Sequence, residues 1–156
     1  MTTAALTPYE IERNKPMPSL NHAIIQGNLI FELKLRYKER YSFPSELSLD
    51  LPECPTVPDL AIYPKMKIDL QNDVVAMTEP PLCVVEIVSP TQAINELTAK
   101  ARAYFKHGVK SCWIVIPPLG NIYVYSSPEE YQIFRASDTL HDPVLNISFP
   151  LKEVFE

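Results

Sequence analysis

Glycine is nearly missing from this chain. Gly27, Gly108 and Gly120 are the only three among 156 residues, where average usage would place about eleven. They stand too far apart to write a G-x-G-x-x-G turn or a G-x-x-x-x-G-K-[ST] loop, so enzymes that cradle nucleotide phosphates on a glycine-rich backbone are excluded. Cysteine and histidine are as sparse. Cys54, Cys83 and Cys112 form no C-x-x-C, and His22, His107 and His141 form no H-x-x-x-H. That pattern argues against a zinc site, and an odd number of scattered thiols suits a reducing compartment. Basic charge is in deficit, with 14 Lys and Arg against 19 Asp and Glu and a net charge of −5. No global positive field is available to hold nucleic acid, and any DNA contact needs a local patch. No run approaches the roughly 18 apolar residues that cross a bilayer, and residues 1–13 carry neither the basic start nor the apolar stretch of a secretory signal. A cytoplasmic protein with no membrane attachment is expected.

Proline, by contrast, is abundant, with 16 residues against about eight at average usage. A balance of 46% hydrophobic to 21% charged residues is that of a globular chain, so the prolines punctuate a fold. One domain over residues 1–156 is expected, irregular through residue 18. Ser19 can then cap a helix running to about residue 41, whose apolar positions Leu20, Ile24, Phe31 and Leu35, with Ala23 and Ile30 beside them, share one face. From Glu46 the period changes to two, with Leu47, Leu49 and Leu51 alternating with polar residues, which predicts a half-buried strand. Residues 57–63 read as a second strand and 65–79 as a loop or hairpin excursion. Residues 82–88 are apolar at all positions but one, as in a strand buried on both faces. A helix over 91–107 follows, with Ile94, Leu97, Ala101, Tyr104 and Phe105 in one stripe and Gly108 at its C-terminal cap. Further strands are expected at 112–116, 122–125 and 131–134. The strand–helix–strand run over 82–116 predicts a parallel pair joined by a right-handed crossover. The class is α/β with α+β character, a mixed central sheet with the long helix on one face and the second helix on the other.

Three residues carry candidate chemistry. Glu86 interrupts the apolar run of its strand, where an unpaired carboxylate would cost several kcal/mol. A structural ion pair, a strand end that reaches water and a functional site all satisfy that demand. Asp59 follows Pro58 at the start of a predicted strand, either as a turn residue or as the second carboxylate of a seat for a hard cation. Mg²⁺ takes one or two carboxylates, a carbonyl and waters, so no all-protein cage is needed. Lys100 lies at the border of the second helix's apolar stripe. It can pair with Glu96 at i,i+4 for a few tenths of a kcal/mol, or lean toward the sheet.

Residues 57–64, reading VPDLAIYP, and 81–91, reading PLCVVEIVSPT, together with Lys100, Tyr104, Gly108-Val109 and Trp113-Ile114-Val115 before Pro117, resemble the Uma2 family. The N-terminal residues 17–22, reading MPSLNH ahead of an amphipathic helix, are similar too, and the resemblance covers about residues 9 to 155. That family belongs to the PD-(D/E)XK nuclease superfamily, which implies a restriction-endonuclease-like core. The resemblance implies a Mg²⁺- or Mn²⁺-dependent phosphodiesterase, with Asp59 and Glu86 as metal ligands and the carbonyl of Ile87 as a further one. The superfamily's usual lysine two residues after the Glu is replaced by Val88, and Lys100 matches the position of a lysine on the next helix that supplies the missing charge. His22 matches a family position near the site, and its alternative is a surface or packing role. The chain departs from many members at Ile116 and Glu96, where Asp is common, and around Asn14-Lys15, where an Asp-Gly turn is usual. The expected function is DNA phosphodiester hydrolysis by metal-activated water. A homodimer is expected because cutting both strands of a duplex takes two sites. The alternative is a nuclease-fold binding or dimerisation module without catalysis, favoured by the acidic balance. The basic run Lys34, Arg36, Lys38 and Arg40 spreads around its helix and reads as a solvated face.

Overall fold

The computed structural model describes residues 17–89 and 92–156. Eleven strands and two α-helices are assigned among these residues. Helix α1 spans Leu20–Tyr37. It starts where the sequence places it, because the Ser19 side chain accepts the His22 N–H at 3.3 Å, satisfying one of the donors a helix start leaves open. It ends four residues earlier than expected. The chain turns after Tyr37, and Tyr41–Ser42 forms a short strand, β1, antiparallel to residues 64 and 63.

Strands β2 (Ser48–Leu51) and β3 (Cys54–Thr56) make a hairpin, and β5 (Ala76–Met77) joins β2 in parallel to complete a three-stranded sheet. The strand expected from Glu46 begins at Ser48, because Glu46 adopts a left-handed φ of 54° and turns the chain. The main sheet has six strands in the order β1-β4-β6-β7-β8-β9. Its members are β4 (Leu60–Pro64), β6 (Cys83–Ile87), β7 (Ser111–Ile116), β8 (Asn121–Ser127) and β9 (Glu130–Arg135), besides β1. As predicted, β6 and β7 pair in parallel, while β4 runs antiparallel to β6, so the sheet is mixed. Helix α2 (Ile94–Lys106) makes the crossover, and it begins three residues after the expected start. Position 91 of that expectation lies outside the described residues. Gly108, with φ +98°, terminates the helix, and a Cβ there would come within 3.3 Å of the Pro80 ring. A hairpin of β10 (Thr139–Asp142) and β11 (Ile147–Pro150) closes the chain and has no counterpart in the sequence expectation.

The alternation of the central strands sorts the core into two layers. Leu60, Ile62, Cys83, Val85, Ile87, Trp113 and Val115 face Ile25, Leu29 and Leu33 of α1. Ala61, Tyr63, Val84, Ile114 and Ile116 face Leu97, Ala101 and Tyr104 of α2. The two helices therefore cover opposite faces, as expected. The face of α1 that does so is not the expected one. Leu20, Ile24, Phe31 and Leu35 are exposed, and the buried set is His22, Ile25, Leu29, Glu32 and Leu33. The sheet takes the face that carries a histidine and a glutamate, and Glu32 is reconciled to burial by an ion pair with Arg36 one turn on. Of the α2 stripe, Ile94 is exposed and the rest packs inward.

Candidate functional site

Antiparallel pairing of β4 with β6 sets the start of one against the end of the other. Leu60 is opposite Val85, so Asp59, just before β4, meets the Glu86-Ile87 end of β6. Asp59 Oδ2 accepts the backbone N–H of Ile87 at 2.7 Å. Both carboxylates are buried, each 1% exposed. The backbone carbonyl of Asp59 accepts from the Gln26 side chain at 3.1 Å and from the Glu46 N–H at 3.2 Å. The left-handed turn at Glu46 thus positions the strand start that carries Asp59.

His22 reaches the same carboxylate from α1, with Nε2 3.2 Å from Asp59 Oδ1. A ring N–H in that contact donates to the carboxylate, which fixes the ring orientation. Its Nδ1 has no hydrogen-bond partner among the described residues. From the other face, α2 delivers two groups to Glu86. Lys100 Nζ lies 3.4 Å from Glu86 Oε1, and the Tyr104 hydroxyl donates to the same oxygen at 2.8 Å. Lys100 therefore pairs with Glu86 and forms no ion pair with Glu96. Since the Tyr104 proton is committed to Glu86, the Thr56 hydroxyl, 3.0 Å away, is the donor to the Tyr104 oxygen. A relay from Thr56 through Tyr104 to Glu86 results. Burial first and the charge of Glu86 second hold the Tyr104 hydroxyl well above its ordinary pKa, so it remains a donor. The same two causes push the neighbouring Cys112 thiol up, and it stays an uncharged core group.

All four sequence-predicted side chains, Asp59, Glu86, Lys100 and His22, thus come to one end of the β4–β6 pair. Ile87 joins them through its amide. Lys100 is the member that faces outward, its side chain 22% exposed beside a Glu86 that is 1% exposed. A cavity of about 510 Å³ lined by Thr56, Gln92, Glu96 and Lys100 opens on its side. A second cavity of about 560 Å³, at the far end of β4, is lined by Lys34, Lys38, Lys65 and Lys67 and touches none of the four. The donors at the site are oxygens of two carboxylates. Among the described residues no group of three His, Cys, Asp or Glu forms a metal cage.

A family model described as "Uma2: Putative restriction endonuclease" matches residues 9–152. The chain belongs to the Uma2 family. Among solved structures, this Uma2 chain matches "a putative nuclease belonging to DUF820 from Anabaena variabilis ATCC 29413" with a TM-score of 0.77 and 22% identity, over 90% of this chain and 83% of that one. That likeness is one of fold, and it agrees with the mixed sheet between two helices. No curated protein matches the chain. In family and in fold the chain is nuclease-like. No helix among the described residues is long and apolar enough to cross a membrane.

Three contributors to the candidate site escape a reading of the sequence for chemistry. Tyr104 fits the apolar stripe of α2 and is read as core, although its position four residues after Lys100 places both on one helix face. Thr56 and Gln26 are ordinary polar residues with no spacing signal, and only the tertiary fold shows what they hold.

Proposed function

We propose that this protein is a divalent-metal-dependent endonuclease that hydrolyses phosphodiester bonds of DNA. The observation that carries the reading is the pair of buried carboxylates, Asp59 and Glu86, on adjoining strand ends with the Lys100 ammonium 3.4 Å from Glu86. The donor set fits the group implied. Two carboxylates and a backbone carbonyl are the hard oxygen ligands that Mg²⁺ or Mn²⁺ takes, with water completing the shell. Asp59, Glu86 and the Ile87 carbonyl would hold the ion, which supplies Lewis acidity and a water of lowered pKa when bound.

The chain's own residues do the rest. Lys100 stands between the buried carboxylate and the open cavity, where its ammonium would favour hydroxide over water and balance charge building on the scissile phosphate. Tyr104 and Thr56 keep Glu86 oriented. His22 and the Ile87 N–H each take one oxygen of Asp59 and fix its plane. We assign His22 a positioning role, because it reaches Asp59 from the α1 side of the sheet and Lys100 reaches Glu86 from the other.

Mg²⁺ and Mn²⁺ binding by calorimetry and nicking of supercoiled plasmid test the reading. Wild type is expected to bind the ion and nick DNA, with chelation stopping the reaction. Asp59→Asn and Glu86→Gln are expected to lose cleavage by about 100-fold or more, as removal of groups central to a reaction does. Absence of ion binding, or cleavage indifferent to both substitutions, overturns it in favour of a non-catalytic binding module.

A further inference from the structure

Helix α1 has a second apolar face. Leu20, Ile24, Phe31 and Leu35 are 74, 48, 61 and 61% exposed, while Ile25, Leu29 and Leu33 on the opposite side pack on the sheet. At 100° per residue the four exposed side chains and Gly27 fall within about 80° of arc. Single exposed apolar residues are ordinary, but a continuous stripe along a whole helix is a contact surface.

The spacing of the stripe says what covers it. Leu20 and Leu35 are equally far from the point between Gly27 and Asn28, and so are Ile24 and Phe31. The stripe therefore reads the same from either end, with large side chains outside and glycine at the centre. A surface of that kind is complementary to itself after a two-fold rotation, which is the requirement of an isologous dimer. Among the described residues nothing lies within 4 Å of where a Gly27 Cβ would sit, so the middle of the helix is open to close approach by another backbone. The same register puts Lys34 opposite Asn21, and no like charges oppose along the helix.

We propose that the outer face of α1 is a homodimer interface, in which two copies of the chain pack their α1 helices antiparallel about an axis passing between Gly27 and Asn28. Leu20 of each copy lies over Leu35 of the other, and Ile24 over Phe31. His22 points to the inner side, so the candidate sites stay outside the interface. The two His22 positions are separated by about 16 Å along the helix axis. The proposal goes beyond the nuclease reading and uses neither carboxylate, so it stands or fails independently of cleavage.

Light scattering on the eluted full chain and sedimentation equilibrium over a dilution series test it. Wild type is expected at twice the 17.7 kDa chain mass. Ile24→Glu is expected to raise the dimer dissociation constant by about 30-fold or more with unchanged far-ultraviolet circular dichroism, since the position is exposed. Adding Phe31→Lys to that variant is expected to restore the dimer, because antiparallel packing sets the two positions against each other twice. A monomeric wild type, or a dimer that Ile24→Glu leaves intact, overturns the proposal. In either case the stripe belongs to another partner or to residues 1–16. A disrupted dimer that the second substitution does not restore overturns the antiparallel register.

Discussion

Glu86 is a charge placed where the strand around it is wholly apolar, and the residues that reconcile it come from another element. Lys100 and Tyr104 both reach Oε1, and Thr56 supports the tyrosine from β3. A hydrogen bond to a charged group contributes about 1.5–3 kcal/mol when buried. Tyr104→Phe is therefore expected to lower stability by about that amount in urea unfolding, and a loss under about 0.5 kcal/mol, the scatter of neutral surface changes, would show that Glu86 takes nothing from the hydroxyl. At this scale the sequence is informative about which residues are anomalous and silent about their partners. Glu86 stands out by its neighbours in the chain. The interaction of Asp59 with Ile87 spans 28 residues and that of Tyr104 with Glu86 spans 18, distances at which periodicity carries no signal.

At the scale of elements, the strands flanked by proline are read with little error, and the misreadings have specific causes. Helix α1 is apolar on two sides, and the face richer in large hydrophobes is the one turned to solvent. A sequence rule that assigns the most apolar face to the core takes the wrong side when the buried face carries polar residues with tertiary partners, here His22 and Glu32. Strand β3 is hidden by Pro55, which the sheet tolerates because β3 is an edge. The β10–β11 hairpin is hidden by Asp142. That carboxylate is fully buried and accepts from Ser111, from Trp113 Nε1 at 2.8 Å, and from the N–H groups of Val144 and Leu145 at 2.8 and 3.1 Å. It turns the hairpin and fastens it to β7. Asp142→Ala is expected to cost about 3 kcal/mol or more by leaving the buried Trp113 and Leu145 N–H groups, and the part-buried Val144 N–H, without their acceptor. Asp142→Asn, which keeps one carbonyl oxygen, is expected to cost less, and equal losses in thermal melts would contradict the arrangement.

For the whole molecule, the clearest pH dependence lies on the alkaline side. A tyrosine in the unfolded chain ionises near 10. Burial first and Glu79 second raise Tyr63 to about 12 in the folded protein, and Tyr104 is raised well above its ordinary value. The folded state therefore keeps protons that the unfolded state releases, and stability falls as pH rises. Their contribution is fully present below about pH 10 and is lost toward the folded values. The buried Cys83 and Cys112 thiols, raised chiefly by burial, act in the same direction. Melting temperatures are therefore expected to decline from about pH 8.5 upward, and a double Tyr63→Phe, Tyr104→Phe variant is expected to flatten the part of that decline above about pH 10. Equal slopes for variant and wild type would assign the alkaline transition to other groups.

One consequence follows from the bond between Asp59 and Ile87. The Ile87 amide proton is held by a carboxylate from another strand, at a position 1% exposed. It trades with solvent deuterium only in openings large enough to part β4 from β6, and its rate measures the free energy of that opening. A single amide at the end of a central strand thus serves as a timer for the integrity of the site. It can be followed by magnetic resonance with no substrate, no ion and no turnover, and any ligand that engages Asp59 only in the closed arrangement will slow it in proportion to its binding.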